Sequence, residues 1–268
     1  MCIRDSCWLG ARPSKSKVAP AARSDGDGGS PSMAGDEVVA FLDSDVYGDR
    51  ESLERAFEIS ETDVKYVNSV AGGQKAVNYG EVLPTSWLKV LEAVDLSADD
   101  VFVDLGSGRG FLVMLTHLHC RIKRSIGVEL SRERHAMALR ALEAVKSSRR
   151  AKDAPGLAFV NEDIRSCDLS DATFVFLMNQ DMPHRLIADV WRRLLQLEQP
   201  LTVATLHPPK DVNLGGLMPQ QTLRLPQTWN AAVDLHIYRL PGKASSAKRP
   251  REDEGARPSI VIVKNKKT

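Results

Sequence analysis

The stretch Val103-Asp104-Leu105-Gly106-Ser107-Gly108-Arg109-Gly110 decides the fold. It joins a short apolar run, Val101-Phe102-Val103, to a helix predicted from Gly110 to about His119. Glycines at alternate positions let a backbone approach a ligand closely and adopt conformations that other residues avoid. The helix behind them leaves its first amide groups without acceptors inside the helix. The stretch therefore predicts a ligand-binding turn between a buried strand and a helix.

Short apolar strands alternate with helices on the carboxyl side of this turn. Helices are predicted over Arg132–Val145 and His184–Leu197, and strands over Ser125–Val128, Leu157–Val160, Thr173–Met178 and Leu201–Leu206. This alternation indicates a parallel sheet that is covered on both faces. Thr222–Leu225 and Ala232–Leu240 then follow without a helix between them, which predicts an antiparallel hairpin. The expected fold is α/β, a mostly parallel seven-stranded sheet with an antiparallel C-terminal edge hairpin.

Upstream of the turn the apolar pattern is helical. Leu53, Ala56 and Phe57, and later Trp87, Leu88, Leu91 and Val94, recur at spacings of three and four, and Pro84 is a plausible helix start. Four regions result. We predict a disordered basic segment over residues 1–35, a short helical arm over 36–98, the main domain over 99–242 and a basic disordered tail over 243–268. Met33 is an alternative start of the protein.

The composition excludes several classes of protein. The chain has 268 residues, a net charge of +1 and four cysteines without a C-x-x-C pair, which excludes a small disulfide-stapled domain. No apolar run is long enough to cross a membrane. Residues 1–35 hold five Lys or Arg against three Asp or Glu, and residues 241–268 hold eight against three. The central part therefore carries a charge of −6, and an acidic globule between basic segments suggests a polyanionic partner.

The glycine turn has two other interpretations, a dinucleotide site and a turn without any ligand. A dinucleotide fold requires G-x-G-x-x-G, and here the third glycine falls one place early. The pattern instead resembles the first motif of the class I S-adenosylmethionine-dependent methyltransferases, which have a Rossmann-like fold. The resemblance implies that Glu129, at the end of the next strand, accepts hydrogen bonds from the two ribose hydroxyls. It also implies that Asp163 accepts from the adenine amine and that Ile164 lies against the ring; a solvated loop acid is the alternative for Asp163.

Further motifs flank the glycine turn within residues 62–240, namely Asn78-Tyr79-Gly80-Glu81, Asp99 to Gly108, Phe176-Leu177-Met178-Asn179 and Thr228-Trp229. In this order they resemble a narrower group, the disruptor-of-telomeric-silencing family of non-SET histone H3 lysine-79 methyltransferases. The resemblance implies that the Tyr-Gly-Glu loop folds over the methionine end of S-adenosylmethionine and that Trp229 lies beside a lysine channel. The implied cofactor-binding residues are Tyr79, Glu81, Asp104, Gly106, Gly108, Gly110, Glu129, Asp163, Ile164 and Asn179. The implied catalytic residues are Asn179, Tyr79 and Trp229.

The sequence departs from this family on the acceptor side. Gln180-Asp181-Met182-Pro183 follows the asparagine where the family has aromatic and small residues, and His236, with Tyr238 two residues on, stands at the position of a channel tyrosine. The arm is also short for the family. Two alternatives therefore stay open. One is a methyltransferase that acts on another protein, a metabolite or RNA, and the other is a module that binds the cofactor or chromatin without catalysis.

Methyl transfer to lysine requires a neutral amine, whose ordinary pKa is about 10.4. A narrow apolar channel lowers that pKa by desolvation, and Trp229 with Tyr79, His236 or Tyr238 is expected to wall it. The side-chain carbonyl of Asn179 is expected to orient the amine, unless this residue only caps a strand end.

No spacing indicates a metal. The expected partners are the nucleosome and, through the tail, DNA, and the expected location is the nucleus.

Overall fold

The computed structural model describes residues 33–48, 56–151 and 154–243. The basic tail from residue 244 onwards, nearly all of the predicted N-terminal segment and Leu53 of the arm therefore lie outside the described residues. Within these ranges, no helix has the length and apolar character that a membrane crossing requires.

Seven strands form one sheet. They are β1 (Val101–Leu105), β2 (Arg124–Val128), β3 (Leu157–Val160), β4 (Phe174–Leu177), β5 (Leu201–Thr205), β6 (Gln221–Leu225) and β7 (Val233–Leu240). Their spatial order is β3-β2-β1-β4-β5-β7-β6. The first five pair in parallel, whereas β7 is antiparallel to both β5 and β6. The predicted mostly parallel seven-stranded sheet with its antiparallel edge hairpin is confirmed.

The order of the strands places the ligand site. Successive strands run outward from β1 through β2 to β3, and the chain then returns to pair β4 with the other side of β1. In open α/β sheets, ligands bind beyond the carboxyl ends of the strands at such a reversal. The glycine turn begins immediately after β1 ends at Leu105, so the topology puts it at this crevice.

Six α-helices accompany the sheet in the described ranges. They are α1 (Gly35–Phe41), α2 (Glu61–Ala71), α3 (Pro84–Val94), α4 (Phe111–Cys120), α5 (Arg132–Ser147) and α6 (His184–Leu194), and a π-helical turn, Leu42–Val46, extends α1. The ends follow local chemistry. The hydroxyl oxygens of Ser60 and Ser131 cap α2 and α5, and Gly72 ends α2 with a left-handed φ of 77°.

The arm packs directly on the sheet. Trp87 of α3 is fully buried, and its ring centroid lies 4.7 Å from that of Phe176 in β4. Its indole Nε1 donates a hydrogen bond of 2.8 Å to Thr116 Oγ1 in α4. Trp191 of α6 is equally buried in a second apolar cluster. Because α3 shares the first cluster with β1 and β4, the arm and the main domain have one continuous core.

Three predicted boundaries were wrong. Helix α1 begins at Gly35, inside the predicted segment 1–35, because Met33 already packs against the core. Strand β1 continues past Val103 to Leu105. Helix α6 ends at Leu194 and not at Leu197. The residues after it form tighter turns, in which the Leu197 amide donates to the Leu194 carbonyl at 3.3 Å. Leu197 still packs on the core, so the apolar period outlasts the helix.

Candidate active site

The glycine turn has the backbone that its sequence predicts. Gly106, Gly108 and Gly110 have φ of 96°, 56° and 89°, a region that favours glycine. A Cβ atom at Gly108 would lie only 2.5 Å from Cε2 of Tyr79, so a larger residue has no room there. Helix α4 starts directly behind the turn without a side-chain cap. The turn therefore presents close-approach backbone and free helix amides at the crevice.

Glu129 reaches the glycine turn from the end of β2. Its carboxylate is 7% exposed and accepts hydrogen bonds of 2.8 Å from the amides of Gly108 and Ser131. Burial raises the pKa of Glu129, although nearby Arg134 and the two amides lower it. Each carboxylate oxygen keeps a further lone pair. The structure thus brings Glu129 to the turn, as predicted, with acceptor capacity left for hydroxyl donors.

Asp104 is the second buried acid of the cleft. It lies in β1 just before the turn, is 3% exposed, and lines the cleft together with Tyr79, Glu81 and Ser107. Burial, followed by the charge of Glu129, raises its pKa to about 8. The hydroxyl oxygen of Ser107 is buried beside it without a hydrogen-bond partner. Both groups are suited to a ligand that brings its own donors and positive charge.

The Tyr-Gly-Glu loop is held on the glycine turn by an arginine. Arg109 Nε and Nη2 lie 2.6 Å and 2.9 Å from the two carboxylate oxygens of Glu81, and Tyr79 donates to the same carboxylate at 2.6 Å. The Arg109 guanidinium also stacks over the ring of Tyr47, 4.3 Å from its centroid. Sequence reasoning placed Glu81 on the cofactor but missed this ion pair. The sequence did offer a signal for it, since Arg109 is a basic residue inside the glycine turn and Glu81 is an acidic residue upstream of it.

Trp229 covers this loop from the other side. A Cβ atom at Gly80 would lie 2.8 Å from Cε3 of Trp229, and Thr228 Oγ1 donates to the Glu81 carbonyl at 3.0 Å. Trp229 is half-buried against the first apolar cluster. The structure therefore brings Tyr79, Glu81 and Trp229 together, as the motif order predicted. The catalytic roles given to Tyr79 and Trp229 stay predictions.

His236 and Tyr238 do not share the face of the sheet that Trp229 covers, so their expected place in the channel wall was wrong. Tyr238 is 2% exposed and packs edge-on against Trp191 in the second cluster, with ring centroids 5.2 Å apart. His236 is two residues away on the same strand and so lies on the same face. Its neighbour Ile237 belongs to the first cluster. Successive side chains of a strand point to opposite faces of the sheet, and this places His236 and Tyr238 on the face opposite to Ile237.

Asn179 ties together the ends of two strands. Its side-chain amide donates to the His207 carbonyl at 2.7 Å, and its side-chain oxygen accepts from the His207 amide at 2.9 Å. The side chain is 1% exposed. These bonds are the strand-end role that the sequence left open, whereas orientation of an amine by Asn179 stays a prediction.

Asp163 and Ile164 follow β3, and the structure gives each a protein partner. The Asp163 carboxylate pairs with the Arg165 guanidinium, with Nε 3.0 Å from Oδ1. Burial raises the pKa of Asp163, but the hydrogen bonds from Arg165 outweigh it and lower that pKa. Ile164 is 7% exposed in the second cluster. Their assignment to the adenine stays a prediction.

Two charged residues that sequence reasoning missed hold the arm against the site. Asp63 of α2 accepts from Ser131 Oγ at 2.5 Å and from the Arg132 amide at 3.2 Å, next to the amide that binds Glu129. Arg134 of α5 is 4% exposed, donates to the Val77 carbonyl at 2.8 Å and lies 4.6 Å from the centroid of the Tyr79 ring. No sequence motif marks either residue, because their partners are distant in the chain.

The fold and the site define a class. A seven-stranded sheet with an antiparallel β7, a glycine turn at the strand reversal and an acid at the end of β2 are the features of a class I S-adenosylmethionine-dependent methyltransferase domain. More narrowly, the chain belongs to the DOT1 family of histone methylation proteins, whose family model matches residues 59–208.

Individual relatives and solved structures are similar to parts of the chain. The chain is 45% identical over 53 residues to a histone-lysine N-methyltransferase, H3 lysine-79 specific, of Caenorhabditis elegans, a match that covers 20% of this chain and 6% of that protein. It is 27% identical over 151 residues to a protein-lysine N-methyltransferase of Saccharolobus islandicus, covering 56% of this chain and 85% of the relative. Among solved structures, an RNA methyltransferase from Salinibacter ruber in complex with S-adenosyl-L-homocysteine matches with a TM-score of 0.46 and 23% identity, over 65% of this chain and 97% of that chain.

Proposed function

We propose that the chain transfers a methyl group from S-adenosylmethionine to a lysine of a protein, and that this lysine belongs to histone H3 in the nucleosome. The arrangement of Glu129, Asp104 and the glycine turn under the Tyr-Gly-Glu loop carries the proposal. The specificity for H3 lysine 79 is that of the Caenorhabditis elegans relative, and it comes to this chain through the shared family.

The residues of the cleft fit the cofactor. Glu129 would hold the ribose hydroxyls with its remaining lone pairs, and Asp104 would face the ammonium of the methionine portion. The partnerless hydroxyl of Ser107 adds a donor and acceptor at the same place. Asp163 would accept from the adenine amine. The cofactor supplies a methyl group on a positively charged sulfur.

The protein's own contribution is positioning and the exclusion of water. Lysine must lose its proton before attack, and aromatic walls from Tyr79 and Trp229 lower the pKa of the amine by desolvation. The ion pair between Glu81 and Arg109 holds the loop that carries Tyr79 on the glycine turn, so the Tyr79 wall has a fixed position. Alignment of reacting groups can supply about 7–11 kcal/mol of the barrier, and no dedicated base is needed if the proton leaves to water.

The nuclear location and the DNA contact also belong to this proposal. Residues 36–240 carry a net charge of −6, so the catalytic region is repelled by DNA unless a basic segment offsets it. Residues 243–268 carry eight basic and three acidic side chains. Lys248-Arg249-Pro250-Arg251 resembles a short import signal.

The direct test incubates the full chain with radiolabelled S-adenosylmethionine and, separately, nucleosomes, free histones and total RNA. We expect label on H3 in nucleosomes, and loss of that label in Glu129→Ala. Glu143→Gln is the matched control, because Glu143 is an exposed acid on α5 whose side chain is 71% accessible. Label only on RNA, or binding of the cofactor without any transfer, would replace the proposal with one of the two alternatives.

A further inference from the structure

A second cavity opens beside the cofactor cleft, at the carboxyl ends of β4 and β5. Its volume is about 160 Å³. Its walls come from the loop after β4, from the first turn of α6 with His184 and Ile187, and from the loop after β5. We call it the basic pocket, and its characteristic lining residues are Gln180, Met182, His184, His207 and Lys210.

Basic side chains line the basic pocket, and among them Lys210 carries a formal positive charge at pH 7. Its three titratable side chains are all bases, His184, His207 and Lys210. Within the described part of the chain, no carboxylate lies within ion-pair distance of any of them. The nearby Asp181 carboxylate is engaged elsewhere, by a 2.9 Å hydrogen bond from Asn78. Burial lowers the pKa of His207, and the neighbouring bases His236, Lys210 and His184 lower it further.

The backbone at the basic pocket adds to this field. His184 is the first residue of the 11-residue helix α6, whose N-cap, Pro183, supplies no side-chain hydrogen bond. The first amides of a helix have no acceptor inside it, and the helix dipole is positive at that end. The amide side chain of Gln180 is already oriented, because its Oε1 lies 3.2 Å from Nε2 of His207. Lys210 and the first amides of α6 therefore favour an anion, whereas the side-chain oxygens of Asn179 and Gln180 are acceptors already bonded to His207.

The basic pocket adjoins the methyl-transfer site through two residues. Met182 lines the pocket, and its Cε lies 3.2 Å from where a Cβ of Gly106 would be, so its side chain separates the pocket from the glycine turn. Asn179 also lines the pocket and holds the backbone of His207 through two hydrogen bonds. A group in the basic pocket is therefore close to the acceptor side of the cleft.

We propose that the basic pocket binds the carboxylate of an Asp or Glu side chain that lies near the target lysine in the acceptor polypeptide. This inference rests on the proposed function, since it concerns the acceptor of that same reaction. The pocket is a concave site of about 160 Å³, and His184 at the start of α6 and Lys210 in the loop after β5 line it from two elements, so both can donate to the oxygens of one carboxylate. The site makes an acidic neighbour of the lysine a specificity determinant of this enzyme.

The test measures binding, so that it does not depend on turnover. Fluorescent lysine-centred peptides carry Glu at each of several positions on either side of the lysine, and each is paired with the same peptide carrying Gln. With the full chain and S-adenosylhomocysteine present, we expect at least one Glu peptide to bind about tenfold more tightly than its Gln partner. The double variant His184→Gln, Lys210→Met should bind both peptides equally, whereas Lys89→Met, an exposed lysine of α3, should keep the difference.

A second readout uses glutarate as the probe and follows the imidazole resonances of His184 and His207. We expect saturable shifts in the parent that vanish in the double variant. Equal binding of every Glu and Gln pair, or no saturable shift, overturns the inference. Stronger competition by duplex DNA than by the Glu peptide also overturns it and assigns the pocket to phosphate. If the Glu peptide binds selectively but no lysine is methylated, the proposed function fails while the pocket stands.

Discussion

Arg109 and Glu81 form a two-pronged ion pair, with 2.6 Å and 2.9 Å between their nitrogen and oxygen atoms, in which the arginine side chain is 7% and the glutamate side chain 18% exposed. The pair joins the middle of the glycine turn to the Tyr-Gly-Glu loop. It therefore fixes the loop that walls the site to the turn that binds the cofactor.

Glu81→Met should destabilise the protein by about 3–5 kcal/mol, because it leaves the Arg109 guanidinium buried without its counter-charge. Urea denaturation measures the change. The double variant Glu81→Met, Arg109→Met should recover most of the loss, since removing both charges removes the unpaired one. A double variant no more stable than Glu81→Met would mean that the ion pair does not account for the loss.

Glu129→Ala should weaken binding of S-adenosylmethionine by about 2–4 kcal/mol, through the loss of two hydrogen bonds to a charged acceptor. Calorimetry measures the dissociation constant, with Glu143→Gln as the control. Gly108→Val should abolish binding, because its Cβ would occupy space 2.5 Å from the Tyr79 ring at a φ of 56°. Binding of NAD, with no response to the methyl donor, would contradict the assignment of the cofactor.

Asn179→Ala should lower stability by about 1–3 kcal/mol, because the amide and carbonyl of His207 lose their partners in a buried site. If Asn179 also orients the amine, kcat should fall while the dissociation constant of the cofactor stays the same. Trp229→Ala provides the comparison, and we expect it to lose transfer and keep cofactor binding. Parental kcat in a stably folded Asn179→Ala would leave only the strand-end role.

The pH dependence of stability should reveal Asp104. Its pKa is about 8 in the folded protein, above the ordinary value of 3.8, so the folded state binds the proton more tightly than the unfolded state. Stability from this group is therefore fully present below pH 4 and is lost as the pH rises towards 8. Asp104→Asn should flatten the fall in unfolding free energy between pH 5 and pH 8, and Asp99→Asn, at an exposed acid, should not. The same slope in both variants would exclude Asp104 as its origin.

Truncation after Gly242 should leave cofactor binding intact, weaken nucleosome binding and flatten its salt dependence. Each phosphate contact contributes a slope of about −0.9 in log affinity against log salt, and the truncation removes all eight basic residues of 241–268. Binding to nucleosomes between low and moderate salt measures the slope. An unchanged slope in the truncated chain would remove the tail from the interaction.

The sequence alone determined the fold and the cofactor side of the site. The strands after Gly110 are short and apolar and alternate with helices. This alternation can be read from the sequence and predicts a parallel sheet. Glycines at 106, 108 and 110 specify a backbone that only glycine adopts readily, and Glu129 follows the next strand. These features are short-range consequences of the residues themselves, and for that reason they are visible without a structure.

Only the tertiary structure decided the acceptor side and the network that holds the loop. Arg109 and Glu81 are in contact although 28 residues separate them along the chain, and the same separation holds for Asn179 and His207. Asp63 and Ser131 are in contact at a separation of 68 residues. His236 and Tyr238 looked equivalent to channel residues until the pairing of β7 with β5 fixed which face each side chain takes. Such contacts depend on how strands and loops are brought together in space, a property of the packed core that no local pattern encodes.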